Sequence, residues 1–547
     1  LTDLANFDSK AALPDVETLS LEEQVAQMFV IRASGYLFDH QIRYPEWEPT
    51  AANLKHLIAN LGVGGVLLPV GNSGDLILRT QQLQSWAKIP LLLASDIEEG
   101  TGQRFDGATW FPPPMALGAI AGKDLVKAEG YAEAMGAFTA QEAVALGFNW
   151  VLAPVVDVNN NPDNPVINVR SFGETPATVS RLATAFIRGA HQWPVLTTAK
   201  HFPGHGDTAV DSHLELPVLP HSSDRLAEIE LPPFAAAIDA GVDAVMSAHL
   251  VIKCWDAEKP ATLSHQILTG QLREKLGFNG LIVTDALVMG AIANEYGPNE
   301  APILALEAGA DILLMPLDPA NAIKAVCDAV AAGRISPERI RASVERIWQA
   351  KRKIYEQNPP SLPTQDSTLS LLASPAAQNA ATSILKDSMQ AGGSLPLPVD
   401  KQDNLRNLVV LDDILLSDVL GHHAPAIDFP KQLGYQLRIC DRNSNFLLKD
   451  LETGHFQPTL LQIFIRGNPF RSSAQVTEAA LAWFKKLLQT GELQALVVYG
   501  SPYTLKQLSA DLPKEITYVF SYGQTIPAQA LVLETLFGHS FSRSQTF

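Results

Sequence analysis

The stretch Lys200-His201-Phe202-Pro203-Gly204-His205-Gly206-Asp207-Thr208, closing with Asp211-Ser212-His213, concentrates the chemistry of this chain. One lysine, three histidines and two aspartates fall within fourteen residues, broken by Pro203, Gly204 and Gly206. The run Val195–Ala199 ahead of them is short and apolar and reads as a buried strand. The polar cluster therefore leaves the C-terminal end of a strand and enters a loop, which is where a parallel α/β barrel keeps its catalytic groups. Asp211 can bond one imidazole nitrogen of His213, fix its tautomer and raise its basicity, leaving the other nitrogen for proton transfer. A solvated loop histidine is the plain alternative for an isolated Asp-x-His. His201, His205, Asp207, Asp211 and His213 are also acceptable zinc or manganese ligands, so a metal-dependent hydrolase is a second chemistry. Pro203 and two glycines, however, make a tight loop rather than a converging cage, and no His-x-His lies on the first strand.

Other ionisable residues fall at the ends of apolar runs in the same way. Asp96 follows Ser95, His249 follows Ala248, Asp285 follows Thr284, and Arg170 lies in the long loop after the fourth run. Clustered charge on one face costs stability unless it is used. Asp285 sits directly after a buried strand, which gives a nucleophile the rigid placement it needs. The same position equally suits an N-cap for a helix over Leu287–Ala293. Asp96 and Arg170 form an obvious candidate ion pair, and His249 reads equally as pocket lining or as a satisfied core histidine.

These residues need a scaffold, and the apolar pattern supplies one. Eight continuous runs, at 29–31, 65–68, 91–94, 150–153, 195–199, 244–247, 281–284 and 312–314, alternate with helical segments. Continuous rather than alternating hydrophobicity marks fully buried parallel strands. The expected fold is α/β: a (β/α)8 barrel over residues 1–358, opened by a capping box at Ser20 and a helix over Leu21–Phe29. Pro359, Pro360 and Pro363 stop the helix around Ile347–Tyr355 and open a linker read as 359–385. A smaller doubly wound α/β sandwich is expected over 386–547, with strands at 408–411, 461–465, 496–499 and 518–520 and a helix over Val476–Leu488. No GxGxxG follows a strand there, so nucleotide binding has no support.

Composition narrows the partners. With 547 residues, 46% hydrophobic and 18% charged, the chain is a well-packed globular protein of two domains. A net charge of −18 argues against nucleic acid and anionic membranes. No run of apolar residues is long enough for a membrane span. Cys254, Cys327 and Cys440 are far apart and read as three buried thiols in a reducing compartment, so a cytoplasmic location is expected. The start Leu1-Thr2-Asp3, without an initiator Met, also fits a processed, exported protein.

Three motifs carry a resemblance. The Lys200–His213 segment resembles the K-H-(F)-P-G-H-G-x-T-x-x-D-S-H loop of family 3 glycoside hydrolases, in the branch of β-N-acetylglucosaminidases. Leu281–Gly290 resembles the family segment whose aspartate, followed two and four residues later by Leu and Met, is the nucleophile; Leu287 and Met289 match, whereas Ala286 departs from it. Ser95–Phe105 is similar to the family's D-Q-E-G-G-R-V-Q-R-F stretch, with Glu99 and Thr101 in place of a glycine and an arginine. The resemblance implies a retaining exo-β-N-acetylglucosaminidase with Asp285 as nucleophile and an Asp211–His213 dyad as acid/base, in place of a second carboxylic acid. It implies that Asp96, Arg170, Lys200 and His201 hold sugar hydroxyls. It implies a substrate ending in N-acetylglucosamine and no metal or organic cofactor. A β-glucosidase of the same family is the nearer rival, and it would take its acid from the second domain. A catalytically silent sugar-binding protein would not need Asp285 and the dyad.

Overall fold

In a computed structural model the described residues are 13–208, 216–356, 369–398, 404–442, 456–466 and 474–540. The chain divides into two compact units: Leu1–Phe111 with Ala121–Ala380, and Pro112–Ile120 with Ala381–Phe547. In the first, the apolar runs form eight strands: β1 (Phe29–Arg32), β2 (Gly65–Leu67), β3 (Leu92–Ser95), β4 (Trp150–Val151), β5 (Leu196–Phe202), β6 (Ala244–Ser247), β7 (Leu281–Val283) and β8 (Leu313–Leu314). All pair in parallel, in the order β7-β6-β5-β4-β3-β2-β1-β8. A bridge between Val283 and Ile312 joins the two ends of the sheet into a barrel. Their side chains are buried almost throughout, as unbroken apolar runs require.

The expected capping box is formed. Ser20 accepts the Glu23 N–H, and the Glu23 carboxylate accepts the Ser20 N–H. The helix it starts ends at Ala26 rather than at Phe29, because Phe29 already belongs to β1.

The N-terminal rim of the barrel is held by buried charge. Asp311, just before β8, accepts from Arg273, Arg346, Ser343 and the Ile282 N–H of β7. Lys351 lies beneath β1, with its amine 2.7 Å from Gln27 Oε1 and its nitrogen 5.4 Å from the centre of the Trp348 ring. A perturbed lysine at this end of a barrel is structural, since catalysis belongs to the opposite face.

The second unit holds a six-stranded sheet: β9 (Gln390–Gly392), β10 (Arg406–Leu411), β11 (Gln436–Cys440), β12 (Thr459–Ile465), β13 (Leu493–Gly500) and β14 (Thr517–Ser521). The order is β9-β14-β13-β12-β10-β11, with β9 antiparallel. Val409, Leu460, Val497, Tyr499 and Val519 pack against Leu533 and Phe537 of the helix Ile526–Phe537. The four expected strands are the central ones. The two edge strands escape the apolar pattern because Gln436 and Arg438 alternate outward in β11 and β9 is largely exposed. A helix, Pro375–Ser388, occupies most of the stretch read as linker from residue 369 onward. Cys254 is exposed and Cys327 half-buried, so only Cys440 is the buried thiol that all three were expected to be.

Burial pushes the Lys351 amine down to about 7, whereas an unfolded lysine titrates near ~10.4. Between these values the unfolded chain binds the extra proton, so folding stability rises with pH across that window. Wild type is expected to gain stability relative to Lys351→Met between about pH 7 and about pH 9, by urea unfolding. A difference that stays constant over this range would show that Lys351 titrates as an exposed lysine.

Candidate active site

The C-terminal ends of β3 to β7 and the loops after them share one face of the barrel. Asp96 follows β3, Lys200 and His201 lie in the last residues of β5, and Asp285 follows β7. Lys200 is buried, and its ammonium donates to Asp96 Oδ1 and contacts Glu98 Oε1, both at 2.7 Å. Arg170 meets Glu98 through two parallel bonds, each 2.8 Å, and donates a third to the Val166 carbonyl. The anticipated Asp96–Arg170 pair is therefore replaced. Arg170 takes Glu98, and Asp96 takes Lys200, because Glu98 reaches between the two cations.

This cluster fixes its own charge states. Burial alone would raise the Glu98 carboxyl, but the Arg170 and Lys200 charges outweigh it and hold the group well below the usual carboxylate range. Burial would likewise lower Lys200 and Arg170, and their carboxylate neighbours more than compensate, raising both. Asp96 keeps its side chain 33% exposed, so it is the member of the cluster that meets solvent at the mouth. Arg104, whose Nε donates to the Asp96 carbonyl, is exposed beside it.

Where the resemblance expects a glycine and an arginine, Glu99 and Thr101 turn inward. Glu99 accepts from the Trp110 indole at 2.9 Å, and the Thr101 hydroxyl donates to the Thr139 carbonyl. The loop keeps a tight return, closed by bonds from Gly102 N–H to Thr109 and from Phe111 N–H to Glu99.

His201 and His205 are set by a buried carboxylate, Asp157, in the loop after β4. Asp157 accepts the His201 ring Nδ1–H at 2.8 Å, the His201 backbone N–H, and the His205 backbone N–H at 2.7 Å. The β5–β6 pairing slips by one residue opposite His201, and such a bulge re-aims side chains at the end of a strand. Asn164 then clamps the loop by donating to the carbonyls of His205 and Gly206. Gly206 is obligatory at this point, because a Cβ there would lie 1.7 Å from the Val158 carbonyl oxygen. Burial pushes His205 down to about 4, against the pull of the Asp157 and Asp285 charges. The Thr208 hydroxyl meets its Nδ1 at 2.9 Å.

Asp285 does not cap a helix. The helix after it begins at Gly290, with Met289 at its N-cap, and Asp285 Oδ1 instead accepts the Ala286 N–H at 2.7 Å. His249 is a satisfied core histidine, bonded to Thr262 and to the Ala286 carbonyl. Asp211 and His213 lie outside the described residues. The residues considered as metal ligands turn to different partners: His201 to Asp157, His205 to Thr208, and Asp207 to His221 and Arg225. No group of three or more His, Cys, Asp or Glu suited to a metal occurs among the described residues. Glu98, Asp157 and Asn164 went unassigned in the sequence. Asp157 ends the apolar stretch after β4 and obeys the same strand-end rule that singles out Asp285.

The model of the glycosyl hydrolase family 3 N-terminal domain matches residues 20–350, and that of the bacterial family 3 C-terminal domain matches 398–538. The chain belongs to glycoside hydrolase family 3. It is 38% identical over 347 residues to beta-hexosaminidase A of Pseudoalteromonas piscicida, covering 58% of this chain and 57% of that protein. It is 31% identical over 368 residues to a beta-N-acetylglucosaminidase/beta-glucosidase of Cellulomonas fimi, covering 65% and 64%. Each alignment thus spans less than two thirds of the relative. The structure of a family 3 beta-N-acetylglucosaminidase from Paenibacillus sp. str. FPU-7 superposes with a TM-score of 0.78 at 29% identity, covering 96% of this chain and 98% of that one. No helix among the described residues is long and apolar enough to cross a membrane.

Removing the charge of Glu98 leaves two buried cations short of a partner. Glu98→Gln is expected to cost about 3 kcal/mol of unfolding free energy, and more than Asp96→Asn, whose partner keeps Glu98. Denaturant unfolding of the two variants checks this, and a larger loss for Asp96→Asn would place the keystone at the mouth instead.

Proposed function

We propose that this chain is a retaining exo-β-N-acetylglucosaminidase that cleaves terminal β-linked N-acetylglucosamine through a covalent glycosyl-enzyme. The observation that carries this reading is the placement of Asp285 two residues past the end of β7, on the face where Asp96, Lys200, Arg170 and His201 gather. Asp285 attacks C1 of the sugar as the glycosidic bond breaks, and the electrons of that bond leave with the aglycone oxygen. His213, paired with Asp211, supplies the proton to that oxygen and later removes one from the attacking water.

Binding is the work of the charged cluster. Asp96 accepts hydroxyl protons at the exposed edge, Lys200 and Arg170 donate to hydroxyl oxygens, and His201 offers Nε2 because Asp157 holds Nδ1. Such charge-assisted bonds select a sugar by the placement of its hydroxyls, because they form only where a hydroxyl meets these fixed groups. The names of the two relatives above point to an acetamido sugar, and one of them also names β-glucosidase activity. That double name keeps glucoside cleavage as the second reading.

Hydrolysis of aryl β-N-acetylglucosaminide is expected to exceed that of aryl β-glucoside. Asp285→Ala is expected to lose on the order of 10³-fold or more in kcat, and azide is expected to restore turnover by adding to C1 from the vacated face. His213→Ala is expected to lose about 10²- to 10⁴-fold on a poor leaving group and much less on an activated one. Turnover that survives Asp285→Ala would remove the nucleophile. Preference for the glucoside with His213 dispensable would move the chain to the β-glucosidase reading.

A further inference from the structure

Two backbone ties hold the Asp285 segment to β8. The Thr284 N–H donates to the Ile312 carbonyl at 3.0 Å, and the Leu287 N–H donates to the Leu314 carbonyl at 2.9 Å. The Thr284 hydroxyl also accepts the Leu314 N–H at 3.0 Å. Toward β6 the tie is a side chain. His249 Nε2 lies 3.0 Å from the Ala286 carbonyl oxygen. A carbonyl only accepts, so Nε2 carries the proton whatever the charge of the ring.

The far side of the ring is fixed as well. Nδ1 lies 2.8 Å from the Thr262 hydroxyl, which lies 2.9 Å from the Ser247 hydroxyl and 3.1 Å from the Ala248 carbonyl. Ser247, His249 and Thr262 are all fully buried. The base of His249 is itself anchored, because the Ala248 N–H donates to the Phe202 carbonyl at the end of β5. A chain of bonds therefore runs from β5 and β6, through one rigid ring, to the residue after Asp285. The Ala286 carbonyl also accepts the Met289 N–H at 3.0 Å, closing a turn. The Ala286 N–H donates to Asp285 Oδ1 at 2.7 Å, so the orientation of Ala286 bears directly on that of the carboxylate.

We propose that His249 is a positioning residue for the reaction: by holding the Ala286 carbonyl it fixes the backbone that aims Asp285 at the anomeric carbon. This rests on the reading of Asp285 as nucleophile. A reacting carboxylate has to sit within about 0.5 Å of its productive place. A ring bonded at both nitrogens holds that tolerance better than a flexible side chain. His249 itself touches neither substrate nor the reacting atoms in this role.

The test compares wild type, His249→Leu, His249→Gln, Thr262→Val and Asp285→Ala on aryl β-N-acetylglucosaminide, with inhibition by free N-acetylglucosamine and thermal midpoints read in parallel. His249→Leu is expected to lower kcat about 10- to 100-fold, with the inhibition constant of N-acetylglucosamine unchanged. Glutamine can return an N–H to the Ala286 carbonyl, so His249→Gln is expected to recover most of the loss. Thr262→Val, which frees the ring without touching it, is expected to fall about 3- to 10-fold in kcat. It decides the matter should His249→Leu fail to fold. Wild-type kcat in either His249→Leu or Thr262→Val, with Asp285→Ala inactive, overturns the positioning role alone. So does an equal loss in the leucine and glutamine variants accompanied by weaker N-acetylglucosamine binding. An active Asp285→Ala, or a wild type inactive on both aryl β-N-acetylglucosaminide and aryl β-glucoside, overturns the nucleophile reading and the positioning role with it.

Discussion

Glu98 is a carboxylate with almost no access to water, and two cations close on it. An isolated buried charge is prohibitive, and each of the three groups would be so without the others. Arg170 comes from the loop after β4, Lys200 from β5, and Glu98 from the loop after β3. The ion cluster therefore draws three neighbouring sectors of the barrel mouth into a single arrangement. Asp157 repeats the device one step on, tying the loop after β4 to the end of β5 through three donors. With both carboxylates in place, Lys200, Arg170 and His201 have almost no freedom left. Under the function proposed above, a sugar that meets them has little ordering cost to overcome.

The two ends of the barrel use buried charge differently. At the N-terminal rim, Asp311 is surrounded by arginines and serves to close β7 against β8. All of its bonding capacity is spent inside the protein. At the mouth, Asp96 shares Lys200 with Glu98 yet stays partly open to water. Under the function proposed above, that difference, rather than the presence of charge, separates a brace from a binding group. Lys351 carries a shifted pKa with no neighbouring carboxylate among its named partners, and it sits at the wrong end for catalysis.

Much of this was legible in the sequence. The eight strands are unbroken apolar runs, and residues at their ends mark Asp96, Lys200, His201 and Asp285 without further information. Pairing was not legible. Asp96 and Arg170 look complementary on paper, but Glu98 intervenes, and only the spatial order of β3, β4 and β5 makes that visible. Glu99 was legible only as a departure from the resembling pattern; its bond to Trp110 shows the substitution to be compensated locally. The edge strands β9 and β11 were missed because an edge needs no continuous apolar run. His249 stood evenly between pocket and core, since one histidine after one strand carries no directional signal. Its partners, Thr262 and Ala286, come from two later segments.

Under the mechanism proposed above, the charge states fixed at the mouth bear on how Asp285 meets the sugar. The fixed cations of the site, Lys200 and Arg170, are already engaged by Glu98 and Asp96. The imidazole that feels the Asp285 charge, His205, is held neutral by burial at ordinary pH, with its value pushed down to about 4. Under the mechanism proposed above, positive charge develops on the sugar ring as the bond breaks. A carboxylate interacts more strongly with that developing charge than with the neutral ground state. Preferential stabilisation of that kind is what lowers a barrier. Burial of His205 and the pairing of both cations with Glu98 thus fix the charge states of the site before a sugar arrives.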